Sequence, residues 1–368
     1  MPSALPPGIS LITAKSVNEN VEMRRYMTEQ MTPRERVLAI FAKQQTDRAV
    51  VINPTSTATL DSMIATGTSF PKAHKDADEM AALASASYEL LGFDSVMPKF
   101  SVVHSAAALG AAVDWRSGGD MPVITKRPYS DPDQFKMPND FLDRAPVKVV
   151  LDAIKILKKK YRGHVAIIGK VFGPWTSAYN LYGTEHLLMD TILEPERARA
   201  FLEAFTPIAV KYTEAQFEMG ADIILWCDHV SGDLCSPETY VKFLMPIHRK
   251  VFKDLPDKRG PVILHACGRT LDRIKYFAQA GFDAFHFDSC NDIRQALDEA
   301  GDMLLTGCVN NADVLLKGTV ADVENQTREI LDAGIRLVSP ECAVPLAVPN
   351  ENLAAIASTV KSYKSLNS

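Results

Sequence analysis

The sequence predicts one closed (β/α)8 barrel of the TIM type. Three observations carry that prediction. Eight short β-branched runs recur along the 368 residues, amphipathic helical stretches separate them, and reactive polar residues collect at the carboxyl ends of the later runs. The length alone fits two average domains or one large barrel. A doubly wound open sheet is the alternative reading of the same alternation.

Thr32-Pro33-Arg34-Glu35 opens the first helix with a capping hydroxyl, a proline at the first helical position and a glutamate three residues after the cap. The first strand is VVINPT (50–55) and the second SVMPKFS (95–101). Residues 100–164 are the least regular part, and the proline-rich PYSDPDQFKMPND (128–140) is expected as an insertion over the barrel mouth. An amphipathic helix, VKVVLDAIKILKKKYRGH, closes that region. Its basic end, Lys158 to Arg162, complements the helix dipole and faces water, so it needs no anionic partner.

The third strand, VAIIGKV (165–171), leads into a loop, Gly173 to Asn180, where Tyr179 and Asn180 are expected to line a substrate pocket. The fourth, DIILWCD (222–228), delivers Asp228 and His229, and the fifth, VILHAC (262–267), delivers His265 and Cys267. The sixth, AFHFDS (284–289), brings Asp288, and the seventh, MLLTGCV (303–309), is followed by Asn310 and Asn311. Thr319-Val320-Ala321-Asp322 starts another helix, and the eighth strand, RLVSPEC (336–342), ends on Cys342. Residues 1–30 are expected as a loose extension, with the barrel domain spanning 31–368.

Composition removes several classes. A net charge of -5 gives no support to a nucleic-acid partner, which usually needs a basic face. No stretch approaches the roughly 18 apolar residues of a membrane helix. Six scattered cysteines are too few for a disulfide scaffold and suit a reducing compartment, so a cytoplasmic protein is expected. The start has no basic leader before an apolar segment. Oligomeric state is left open.

His265 and Cys267 are two apart on a strand, so they point to one face, about 6.5 Å apart along the backbone. Zinc–nitrogen and zinc–sulfur bonds of about 2.0 to 2.3 Å close when the two side chains lean together. Cys342 comes from the opposite wall, and a barrel of eight strands is narrow enough for opposite side chains to meet. Three such ligands with one open position make a catalytic rather than a structural zinc arrangement. Blander readings stand beside this one. Each thiol can be a small buried hydrophobe, as Cys227, Cys235, Cys290 and Cys308 are read; Asp288 can be a helix cap, and Asp228-His229 a hydrogen-bonded pair holding a loop.

Met31-Thr-Pro-Arg-Glu-Arg-Val-Leu-Ala-Ile40 with Asp47-Arg48 resembles the start of the uroporphyrinogen decarboxylase superfamily. ILHACG, GFDAFHFD (281–288) and SPECAVPLAVPNENL (339–353) are similar to its zinc-dependent methylcobamide (corrinoid) methyltransferase branch, which includes the coenzyme M, halomethane and methoxyl enzymes. The similarity covers about residues 31 to 365. The resemblance implies a (β/α)8 barrel with one zinc per chain held by His265, Cys267 and Cys342, and a displaceable fourth ligand at the place of Asp288. It further implies a corrinoid supplied by a partner protein and a small thiol acceptor or methyl donor bound at zinc. Two thiolates and a neutral imidazole leave zinc formally neutral, which favours the thiol. An ether donor would instead need a proton for its leaving oxygen, from Asp228 or His229. Porphyrinogen decarboxylases open with an arginine-rich loop where this chain has VVINPTSTATLDSM, without arginine, so nothing there pairs with a polycarboxylate. The alternatives are therefore a decarboxylase-like lyase, disfavoured by that loss, and a non-catalytic barrel with structural zinc.

Overall fold

The computed structural model describes residues 30–116, 120–256 and 259–363. The expected extension at 1–30 lies outside the described residues apart from Gln30, as do the last five residues of the expected barrel domain. All eight expected strands form: β1 (Val50–Val51), β2 (Ser95–Val96), β5 (Ala166–Phe172), β6 (Ile223–Cys227), β7 (Val262–His265), β8 (Ala284–Phe287), β9 (Leu304–Val309) and β10 (Leu337–Pro340). They pair in parallel in the order β1-β10-β9-β8-β7-β6-β5-β2, which brings the sheet almost back on itself. Between β2 and β5 lies an antiparallel hairpin, β3 (Ala112–Asp114) with β4 (Val123–Lys126).

Alternation along each strand sorts the side chains. Val50, Ile52, Ala166, Ile168, Ile223, Leu225, Ile263, Ala284 and Leu337 fill the lumen. Their neighbours Val51, Ile167, Ile224, Trp226, Val262 and Leu264 pack outward under the helices. Lys170, His265, His286, Thr306 and Ser339 share the inward parity and are all buried, so the upper lumen is polar. The predicted capping chemistry holds: Thr32 and Glu35 cap helix Pro33–Phe41 reciprocally, as Thr319 and Asp322 cap Val320–Asp332. Helix Ala145–Tyr161 ends at Arg162 in the left-handed region.

The segment 128–140 departs from expectation. It lies along the flank, where Tyr129 and Phe135 stack edge-on at 5.4 Å and Phe135 meets Phe205 of helix Pro195–Met219 at 5.0 Å. The buried Phe135 and the partly buried Tyr129 anchor it there in place of a cover over the mouth. No helix among the described residues is long and apolar enough to cross a membrane.

Strands β1 and β2 meet without a ladder, and Asp94 closes the seam. Its backbone N–H donates to Val51 O at 2.7 Å, and its carboxylate accepts from Val51 N at 3.0 Å. The same carboxylate takes Arg36 Nη1 at 3.1 Å and Arg48 Nη2 at 2.8 Å, while Arg36 also holds Asp47. Arg36 is fully buried. Asp94→Ala leaves a buried guanidinium short of a partner and is expected to cost about 3–5 kcal/mol. Urea unfolding followed by circular dichroism reads this, and an unshifted midpoint would assign the seam to packing alone.

Candidate metal centre

At the end of β7 the chain turns through Gly268 at φ +76° and leaves His265 and Cys267 facing the lumen. Cys267 Sγ lies 3.1 Å from His265 Nε2 and 3.2 Å from Cys342 Sγ, and Cys342 Sγ lies 3.6 Å from His265 Nε2. A tetrahedral ion with bonds of about 2.0 to 2.3 Å spaces its donors about 3.5 to 3.8 Å apart, so a few tenths of an ångström of relaxation fits one in. His265 Nδ1 donates to His286 O at 3.2 Å, which fixes the tautomer and leaves Nε2 as the bare donor. The His286 ring donates to Pro340 O at 2.7 Å, tying β8 to the strand that carries Cys342.

The two sulfurs lie within hydrogen-bonding distance of each other. Their mutual hydrogen bond holds Cys267 far above the ordinary cysteine range and Cys342 well below it, with burial adding to the rise at Cys267. Cys342 is thereby biased toward the thiolate, the form in which cysteine binds a metal. The loop that presents Cys342 is pinned by Glu341, a residue the sequence reading did not single out. Its carboxyl accepts from Asn311 N at 2.7 Å and Ser289 N at 3.0 Å, and burial raises its pKa. Asn311 Nδ2 bonds Ala343 O at 3.0 Å across the same loop. An acidic residue adjoining an expected ligand was the available signal.

His229 joins the three: ligand atoms of His229, His265 and Cys267 all lie within 4.8 Å of one another. Burial first, and the nearby His265 second, push the His229 pKa down, so its imidazole is neutral. Asp228 turns the other way. It is fully buried and accepts from Thr176 N at 2.9 Å, while His248 Nε2 stands 3.1 Å from its second oxygen. Its parity explains this, because Trp226 faces outward and Asp228 follows it. Asp288 takes the backbone N–H groups of Gly268 at 3.1 Å and Cys290 at 3.2 Å, bracing the turn after Cys267.

The expected loop 173–180 is instead a helix, Pro174–Leu181, that starts as soon as β5 ends. Asp228 caps its N-terminus, and Pro174 fits the first turn. Tyr179 is buried within it, its hydroxyl paired with Trp175 Nε1, and Asn180 is half-buried near its end. Asn310 caps the turn Asn311–Leu316 and donates to Ser289 Oγ at 2.8 Å. Cys308 and Cys235 are core fillers as expected. Cys290 is exposed on the loop after β8, contrary to its reading as a filler, because that loop leaves the core. Cys227 is buried but faces the lumen in register with His265, a third thiol beside the site, with its pKa pushed up to about 12 by burial.

Comparison with known proteins places the chain. The uroporphyrinogen decarboxylase (URO-D) family model matches residues 32–363. The chain belongs to the uroporphyrinogen decarboxylase family. A methylated-thiol–coenzyme M methyltransferase of Methanosarcina mazei is 35% identical over 332 residues, 89% of each chain. A methylcobamide:CoM methyltransferase of Methanosarcina acetivorans is 30% identical over 340 residues, 92% of this chain and 100% of the relative. The solved structure of a methyltransferase from Methanosarcina mazei superposes with a TM-score of 0.86 at 28% identity, covering 90% of this chain and 99% of that one. Within this URO-D family barrel, an imidazole with its tautomer fixed and two thiols in contact form a donor set that suits zinc.

Proposed function

We propose that this URO-D family enzyme is a zinc-dependent methyltransferase. It moves a methyl group between the cobalt of a corrinoid carried on a separate protein and a small thiol or methyl compound in the barrel mouth. The observation that supports this most is the convergence of His265 and Cys267 at the end of β7 with Cys342 after β10, three places round the sheet, to separations of 3.1 to 3.6 Å. Names of relatives similar over nearly the whole chain point the same way.

A zinc ion held by those three residues would act as a Lewis acid that ionises a bound thiol. A free thiol with pKa near 8.5 is only a few per cent ionised at neutral pH. His229, neutral and at the metal group, is the base that receives the acceptor's proton. Asp288 and Glu341 keep the Cys267 and Cys342 loops in place. The fixed barrel wall lines the acceptor up with the incoming methyl group, a contribution that can reach about 7 kcal/mol or more. If the physiological substrate is an ether, His229 would first take a proton from solvent and pass it to the departing oxygen.

A spectral assay of cobalamin tests this. Methylcobalamin with a panel of thiols, and reduced cobalamin with methoxylated aromatics and methyl halides, is expected to show a change in cobalt absorbance with one class. Stoichiometric zinc without any such change would leave a structural metal, and a metal-free native chain would restore the lyase reading.

A further inference from the structure

The proposed ligands come from two strands three places apart, and one buried side chain touches the supports of both. His286 lies on β8 with the inward parity of Ala284 and is fully buried. It stands in register with His265 on β7, and the two rings face each other at 4.6 Å with a 32° tilt. Its carbonyl takes His265 Nδ1 at 3.2 Å. Its own ring reaches the other way, to Pro340 O at 2.7 Å. A carbonyl only accepts, so the ring N–H sits on Nε2 and points at the end of β10, two residues before Cys342. The other ring nitrogen meets no partner among the described residues, so the contact with Pro340 is the one the ring uses.

Strand β9 lies between β8 and β10, and it is shaped to let the ring pass. Residue 307, in register with Phe287, is a glycine at φ +124°. A Cβ there would overlap Phe287 O and crowd His286 Cδ2 at 3.1 Å, so a side chain would close the passage. Ser339 Oγ shares Pro340 O at 3.0 Å. Loss of His286 therefore leaves that carbonyl a partner, but none that spans from β8. Asp288 and Glu341 fasten the two loops that carry sulfur. His286 reaches the imidazole as well: its ring walls one face of His265 while its N–H holds the β10 end.

Resting on the metal-centre reading above, we propose that His286 is a positioning residue of that centre. It does not bind the ion. It holds His265 and the strand end before Cys342 at one fixed separation, so that the site is formed before the metal arrives. A site assembled in advance gives up less ordering entropy on binding. Loss of an outer partner of this kind weakens metal binding roughly ten- to a hundredfold.

The test is titration of the chelator-stripped full-length chain with Co2+ and, by competition with a chromogenic chelator, with Zn2+. His286→Ala and His286→Phe are expected to bind both ions roughly ten- to a hundredfold more weakly than wild type. Phenylalanine keeps a ring beside His265 and drops only the N–H, so it isolates the tie to β10. His286→Gln, whose amide N–H can take the place of Nε2–H, is expected to stay within about threefold of wild type. At saturation the thiolate-to-cobalt band is expected to keep its intensity in every variant, because both sulfurs remain ligands. The cobalt d–d bands follow the angle of the imidazole and are expected to shift in the alanine and phenylalanine variants alone. Should alanine fail to fold, phenylalanine and glutamine decide. Affinities of His286→Ala and His286→Phe within about threefold of wild type would overturn the proposal. So would a loss in His286→Gln equal to that in His286→Phe, which would leave the position one of packing alone. A wild-type chain that takes up neither ion would overturn the metal-centre reading itself.

Discussion

Cys342→Ala is expected to empty the metal site and to slow methyl transfer about a thousandfold, while the barrel stays folded. Cys342 Sγ is 3.2 Å from one donor and 3.6 Å from another, so its loss leaves His265 and Cys267 as a two-point site. Two ligands from one strand end hold zinc poorly, because the enclosing third direction is gone. The fold does not depend on that sulfur: the loop around it is fastened by Glu341 to Asn311 and Ser289, and by Asn311 to Ala343. Zinc per chain by mass spectrometry, far-ultraviolet circular dichroism and the cobalamin assay read the three parts separately. Retention of one zinc per chain in Cys342→Ala would remove this residue from the centre, and with it the main support for the proposed chemistry. Cys267→Ala is expected to behave alike.

Much of this was legible because a strand's period is two. His265 and Cys267 had to share a face, and the closed sheet had to bring residue 342 across to them. The same rule, applied one strand earlier, separates Asp228 from His229, yet a reading that gathers every polar strand end at the mouth assigns both to catalysis. Leu225 and Cys227 face in, so Asp228 faces out and His229 returns toward the lumen. What the sequence could not disclose is pairing at a distance. His248, 20 residues beyond Asp228, becomes its partner only when helix Met245–Asp254 docks on β6, and helix Pro174–Leu181 follows β5 with no spacer because Asp228 caps it.

That pairing sets the second large effect. Asp228→Ala is expected to destabilise the protein by about 3–5 kcal/mol, whereas Asp228→Asn is expected to cost about 1 kcal/mol and keep most of the activity. Alanine strips Thr176 N–H and His248 of their acceptor inside a fully buried wall. Asparagine still accepts from Thr176 and can donate to His248 Nε2, with Nδ1 of that ring then donating to Tyr240 Oη, now 3.1 Å away. A proton donor in the reaction would instead lose transfer equally in both variants, since asparagine abolishes acid chemistry as fully as alanine does; near-total loss of transfer in a well-folded Asp228→Asn would establish that role. Gly173 supplies a cross-check. A Cβ there would overlap both Asp228 Oδ2 and Trp226 Nε1, so Gly173→Ala is destabilising by itself. Shortening Asp228 relieves one of those two overlaps, so the Gly173→Ala/Asp228→Ala double variant is expected to lose less stability than the sum of the single changes.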